Sequence, residues 1–167
     1  MREQYERAVP TLENDELRKL YKRFSWHGES KAFFEFLAAR FKDFGSSRDG
    51  TNCEPMINGF FRAYLLGRKD YMAMPELELN GRYCDYALFP SQLLPEAERP
   101  LHSYVIELKH APESASASKI DAKHREVLKQ LAGYAKSPNL ARLAAGTPVH
   151  FLDIEFKGRK MIVCEEV

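Results

Sequence analysis

Three side chains have the types and spacing for phosphate chemistry: Asp85, Glu107 and Lys109. The run Ser103 to His110 (SYVIELKH) opens largely apolar and takes on charge only at its end, the pattern of a buried strand that reaches a site. Glu107 and Lys109 are two positions apart, so the period of a strand puts both on one side. Asp85 lies among apolar and aromatic neighbours in a second strand-like run, Arg82 to Phe89, where an unpaired carboxylate would be costly. Two carboxylates and an ammonium suit magnesium-dependent phosphodiester hydrolysis. Hard cations prefer carboxylate oxygen, a bound cation polarises phosphate and helps to generate hydroxide, and an ammonium orients water or stabilises developing charge. The competing reading is a Glu-Lys surface pair on an ordinary strand, because E-x-K alone is a weak signal.

Positioning those groups requires a core, and 167 residues, 44% hydrophobic and 29% charged, are enough for one domain. Lys plus Arg number 25 against 24 Asp plus Glu, so no global field draws the molecule to nucleic acid or a membrane. Cys53, Cys84 and Cys164 are far apart and form no C-x-x-C, which supports neither a disulfide framework nor a cysteine zinc site and fits a reducing cytoplasm. Apolar stretches are interrupted by charge, so no signal peptide or membrane span is expected, and no membrane partner.

The elements follow from periodicity. After a break at Pro10 and Thr11, Leu12, Leu17, Leu20, Tyr21 and Phe24 predict a first helix. Gly28 separates it from a second, Lys31 to Phe44, with a broad phenylalanine face. Gly45 to Gly50 reads as a loop, and Thr51-x-x-Glu54 matches a capping box ahead of a third helix that ends at Gly67. Tyr71 to Asn80 and Arg82 to Phe89 form a hairpin turned at Asn80-Gly81. Ser103 to His110 is the third strand, and Lys119 to Lys136 a long helix with Ile120, Val127, Leu128, Leu131 and Tyr134 on one face, stopped by Pro138. Strands at Pro148 to Ile154 and Lys160 to Cys164 close the chain around Lys157-Gly158. The class is α+β with a central mixed sheet flanked by helices.

On the long helix, steps of about 100° per residue put Lys123 and Gln130 on one flank of the apolar face. Lys119, Lys123, Arg125, Lys129 and Lys136 make this the most basic segment, suited either to phosphates or simply to solvent. The five histidines show no H-x-x-x-H or H-E-x-x-H spacing, and no G-x-S-x-G occurs. His110 reads as a solvated strand end. Tyr64, Tyr71, Tyr83, Tyr86 and Tyr104 serve either base stacking or packing.

The order of helix, hairpin with Asp85, strand with Glu107 and Lys109, then helix with Gln130 resembles the PD-(D/E)XK nuclease superfamily, whose restriction-endonuclease-like core is αβββαβ. The resemblance covers roughly Thr51 to Val167. More narrowly, NGRYCDYALFP, YVIELKHAP and QLAGY look like the nuclease-like domain at the C-terminus of bacterial AAA-ATPase-like proteins, and PTLENDELRKLYKRF looks like the helical lead-in of that family. The similarity implies that Asp85 and Glu107 ligate Mg²⁺ or Mn²⁺, that Lys109 positions water, that Glu54 is an accessory acid and that Gln130 supports the site. Against these last two stand a helix-start role for Glu54 and a solvated position for Gln130; Glu76 and Glu78 compete for the accessory role. Cys84 stands where the superfamily's nominal proline would precede Asp85. No G-x-x-x-x-G-K-[ST] is present, so the ATPase part that the resemblance implies as a partner is not in this chain.

These readings divide the chain into a helical lead-in, 1–50, and a nuclease-like core, 51–167, packed as one unit. They predict metal-dependent hydrolysis of nucleic acid, DNA ahead of RNA, with Lys119, Lys123 and Lys129 as phosphate contacts. The alternative is a catalytically inactive domain of the same fold that binds nucleic acid or protein. A third reading, a homo-oligomer, rests on the phenylalanine face of the second helix.

Overall fold

Tyrosine-rich and alternating runs after Lys69 close into one five-stranded sheet, and the helical runs cover both of its faces. The computed structural model describes residues 15–43 and 53–167. In order they form α1 (Asp15–His27), α2 (Ser30–Asp43), α3 (Glu54–Leu66), β1 (Tyr71–Leu79), β2 (Arg82–Pro90), β3 (Ser103–Ala111), α4 (Ala117–Tyr134), α5 (Pro138–Ala144), β4 (Val149–Lys157) and β5 (Lys160–Glu166). Strands lie in chain order; β3 and β4 are parallel and the other neighbours antiparallel. A parallel pair needs a long crossover, and α4 with α5 supplies it. This is the α+β plan read from the sequence.

Each turn has a backbone reason. Asn80 and Gly81 both have positive φ, 54° and 77°, as the predicted two-residue hairpin requires. Gly28 has φ 73°, and a Cβ there would stand 2.9 Å from the His102 ring, so the α1–α2 junction needs glycine for conformation and for space.

One sheet face packs against α1, α2 and α3. Tyr86, Leu88, Tyr104, Ile106, Leu152, Ile154 and Phe156 meet Phe24, Phe33, Phe34, Leu37, Phe41 and Phe61 there. The Phe24 ring stacks on Tyr104 with centroids 4.0 Å apart, and the Tyr104 hydroxyl donates to the Phe24 carbonyl at 2.5 Å. Phe33, Phe34 and Phe41 are buried within the chain, and Phe36, the fourth phenylalanine of the face on which the self-association reading rests, is half-buried. The other sheet face meets Val127, Leu131 and Tyr134 of α4 and Leu140 and Ala144 of α5.

Several boundaries shift. Pro138 follows the end of α4, but it also sits in the first turn of α5, a seven-residue helix that periodicity did not separate from the loop. β4 continues to Lys157 and β5 to Glu166, because Glu155 and Glu165 are strand residues with partners rather than polar ends. The N-cap of α3 is Cys53, without a side-chain cap, which makes Glu54 the first helical residue and breaks the capping-box register. Thr51, the Pro10–Thr11 break, Leu12, Phe44 and the 45–50 loop lie outside the described residues.

The stacked Phe24–Tyr104 pair gives a test of how far the lead-in belongs to the core. Phe24→Ala should lower the unfolding free energy by about 3–5 kcal/mol in urea titration. A loss below about 1 kcal/mol would show that α1 contributes little to the folded unit.

Candidate active site

The β2–β3 ladder pairs Tyr86 with Ile106, Ala87 with Val105 and Leu88 with Tyr104, and goes no further. Tyr86 and Ile106 face the α1–α3 side, so by alternation Asp85 and Glu107 face α4. Where the ladder ends, a side chain takes over from backbone: the Leu108 amide donates to Asp85 Oδ2 at 2.7 Å. That bond places Asp85 at the point where the strands part.

Lys109 then bridges the two carboxylates, its Nζ 2.5 Å from Glu107 Oε2 and 3.3 Å from Asp85 Oδ2. The structure thus brings together the three residues picked out by type and spacing. Glu107 is fully buried, whereas the Asp85 side chain retains 34% exposure and Lys109 25%, so the group opens to solvent on the Asp85 side. Burial, then the Asp85 charge, raises the Glu107 pKa against the opposing pull of Lys109. Burial works against the Lys109 ammonium, but Asp85 and Glu107 outweigh it and raise its pKa. Burial and then Glu107 push the neighbouring Cys84 thiol up to about 12, so it remains an inert thiol.

Tyr134 completes the setting. Its hydroxyl lies 2.6 Å from Glu107 Oε1 and 2.8 Å from the Tyr83 carbonyl oxygen. The Tyr134 hydroxyl donates to Glu107, which favours the carboxylate and works with Lys109 against the effect of burial. Tyr134 was visible in the sequence as the last residue of QLAGY, but only as part of an apolar helix face; its polar end was the signal.

The remaining candidates separate. Gln130 is half-buried on α4, and its Oε1 is buried without a hydrogen-bond partner. Lys123 donates to the His110 carbonyl at 2.6 Å, fastening α4 to the end of β3, while Lys119 and Lys129 are exposed. Glu54 is exposed at the start of α3, the helix on the opposite sheet face, and makes no hydrogen bond or ion pair among the described residues. Glu76 has φ 53°, and its flanking pairs, Pro75 with Tyr86 and Leu77 with Cys84, set it across from Asp85; Glu78 pairs with Tyr83. A positive φ on a non-glycine residue is strain stored beside the site. Tyr71, Tyr86 and Tyr104 are buried packing residues and Tyr64 is half-buried, whereas Tyr83 is exposed.

The donor set fits a hard cation. Glu107 Oε2 takes no well-aligned hydrogen bond, and a positive charge already stands between the carboxylates in the form of Lys109. The family model of the PD-(D/E)XK nuclease superfamily matches residues 52–166. Comparison with curated proteins and with solved structures found no match. No described helix is long and apolar enough to cross a membrane.

Tyr134→Phe should cost about 1.5–3 kcal/mol in urea titration, because the lost bond goes to an ionisable group inside the core. A change under about 0.5 kcal/mol would mean that Glu107 does not depend on it.

Proposed function

The chain belongs to the PD-(D/E)XK nuclease superfamily, and we propose that it hydrolyses phosphodiester bonds of nucleic acid, DNA ahead of RNA, with Mg²⁺ or Mn²⁺. The observation that carries this reading is the convergence of Asp85, Glu107 and Lys109 where β2 and β3 part.

Asp85 and Glu107 would hold the cation, which when bound supplies polarisation of a phosphoryl oxygen and a lowered pKa for water. The chain's own groups do the rest. The Leu108 amide and the Tyr134 hydroxyl fix the two carboxylates before any ligand arrives, so little reorganisation is needed during reaction. Lys109, half-buried and held protonated by its neighbours, orients water or stabilises charge that develops on phosphate. Gln130 offers an unpartnered amide oxygen on the same helix as Tyr134. For the accessory acid, Glu76 has better support than Glu54, since it stands across the hairpin from Asp85.

Nucleic acid would approach along the Lys119 end of α4. Lys129 is about 80° from Lys119 on the helix, turned away from the flank of Lys123 and Gln130. Tyr83, 65% exposed on β2, offers a surface on which a base can stack. The proposal extends to an AAA-type ATPase part as partner, on the likeness of PTLENDELRKLYKRF to a lead-in helix, of which Asp15 onward forms α1.

Calorimetry with Mn²⁺ on Asp85→Asn, Glu107→Gln and the double variant should show loss of one binding event, and Lys109→Ala should reduce cleavage roughly a hundredfold while folding survives. A wild-type chain that cuts neither single-stranded, double-stranded nor branched DNA or RNA in either metal would hand the site to the inactive, binding-only reading. Replacing Lys119 with Gln should flatten the salt dependence of nucleic-acid binding by about one unit, and Lys129→Gln should not. Equal slopes in wild type and Lys119→Gln would place the substrate on another surface.

A further inference from the structure

A second cluster lies on the same sheet face as Asp85, Glu107 and Lys109, and the proposed hydrolysis makes no use of it. Asp153 of β4 is the register neighbour of Glu107, Glu155 that of Lys109, and Glu165 of β5 pairs with Asp153 from the other side. From α4, His124 reaches into these carboxylates. Its Nδ1 is 2.9 Å from Asp153 Oδ2 and 3.0 Å from Glu155 Oε1, and its Nε2 is 3.4 Å from Glu165 Oε1.

The cluster has too much negative charge for its setting. Asp153 is fully buried and its Oδ1 has no hydrogen-bond partner. Glu155 is buried beside it at 3% exposure. The two buried carboxylates, Asp153 and Glu155, outnumber the one imidazole, and buried excess charge is unfavourable without a proton or a compensating cation.

We propose that His124, Asp153 and Glu165 form a binding site for one first-row divalent metal ion of the zinc type, which fastens α4 to β4 and β5. One potential ligand atom from each of the three lies within 4.8 Å of the others. Tetrahedral bonds of about 2.0–2.1 Å put ligand atoms roughly 3.3 Å apart, so small side-chain movements close the site. The mixed set of imidazole nitrogen and carboxylate oxygen favours zinc over magnesium or calcium, which prefer oxygen alone. With Nε2 as the ligand atom, the Nδ1–H is left to donate to Glu155, which orients the ring in the way that carboxylates behind metal-bound histidines do. Glu165 keeps 49% side-chain exposure, which gives an ion a route from solvent.

The role is structural. α4 also carries Tyr134 and Gln130, so an ion at His124 would hold the helix that positions Glu107 without taking part in the reaction. This inference stands apart from the hydrolase reading and is tested apart from it.

The full chain, stripped with a chelator, is titrated with Zn²⁺ alone and followed by calorimetry and by the NMR signals of the His124 ring. The Asp85→Asn, Glu107→Gln double variant should keep the zinc event, while Asp153→Asn and His124→Gln should weaken it at least tenfold. Zinc at a hundredfold excess over its Kd should raise the wild-type Tm by roughly 5–10 °C and leave that of Asp153→Asn unchanged. If the buried substitutions prevent folding, Glu165→Gln, at a partly exposed position, should still weaken zinc about tenfold. A wild type that takes up no zinc, or zinc binding that disappears in the double variant and survives in Asp153→Asn or Glu165→Gln, overturns the proposal.

Discussion

A carboxylate with 1% exposure in the middle of a sheet is the constraint around which the rest is arranged. Glu107 sits on the strand most enclosed by its neighbours, and nothing in water's place would satisfy it except groups supplied by the fold. Lys109 comes from its own strand, Asp85 with its hold on Leu108 from the next, and Tyr134 from the last turn of α4. Each depends on a different layer being in register. A slip of β3 by one residue would turn Glu107 and Lys109 to the aromatic side and Ile106 and Leu108 to the polar one, so the buried charge also fixes the pairing.

The two sheet faces divide the work. Stacked and edge-to-face rings against α1–α3 fill one side, with Phe24, Phe33, Phe34, Phe61 and Tyr104 at its centre. That side has large apolar area and supports the sheet. The α4 side has a smaller core, Val127, Leu131 and Tyr134 over Ala87, Phe89 and Val105, and beyond it the carboxylates. A protein that spends part of one face on polar groups needs the other to be well packed, and Phe33, Phe34, Phe41 and Phe61 of α2 and α3 meet that need within the chain.

Much of this was legible in sequence because periodicity reports burial. SYVIELKH announced a central strand whose end turns polar, NG announced its hairpin, and E-x-K put two charges on one face without any knowledge of the fold. Residues fixed by tertiary contacts were harder to see. Glu155 looked like a polar strand end, because a buried acid and a solvated one have the same letter, and only pairing with β3 and contact with α4 separate them. The D-x-E of β4 has the same period-two form as E-x-K and could have been read the same way. Glu54 entered as a site candidate only through the resemblance, and its competing reading as a capping-box residue rests on a local rule that the actual N-cap at Cys53 overrides. Lys123, read as a phosphate contact or a solvated lysine, also donates to a backbone carbonyl of β3, a tertiary contact that its letter does not announce.

Net charge conceals how the charge is distributed. The chain as a whole is close to neutral, at +1, yet the α4 side of the sheet gathers Asp85, Glu107, Asp153, Glu155 and Glu165 against Lys109 and His124. Such a face repels a phosphodiester. On the proposed function, cation binding is therefore a condition for substrate to approach as well as a source of catalysis, and the basic residues of α4 act only after the acidic row beneath them is neutralised. On the proposed function the electrostatics favour an order in which the cation binds first and nucleic acid second. On that reading a balanced composition is compatible with handling a polyanion, since a bound cation adds positive charge to that already supplied by Lys109.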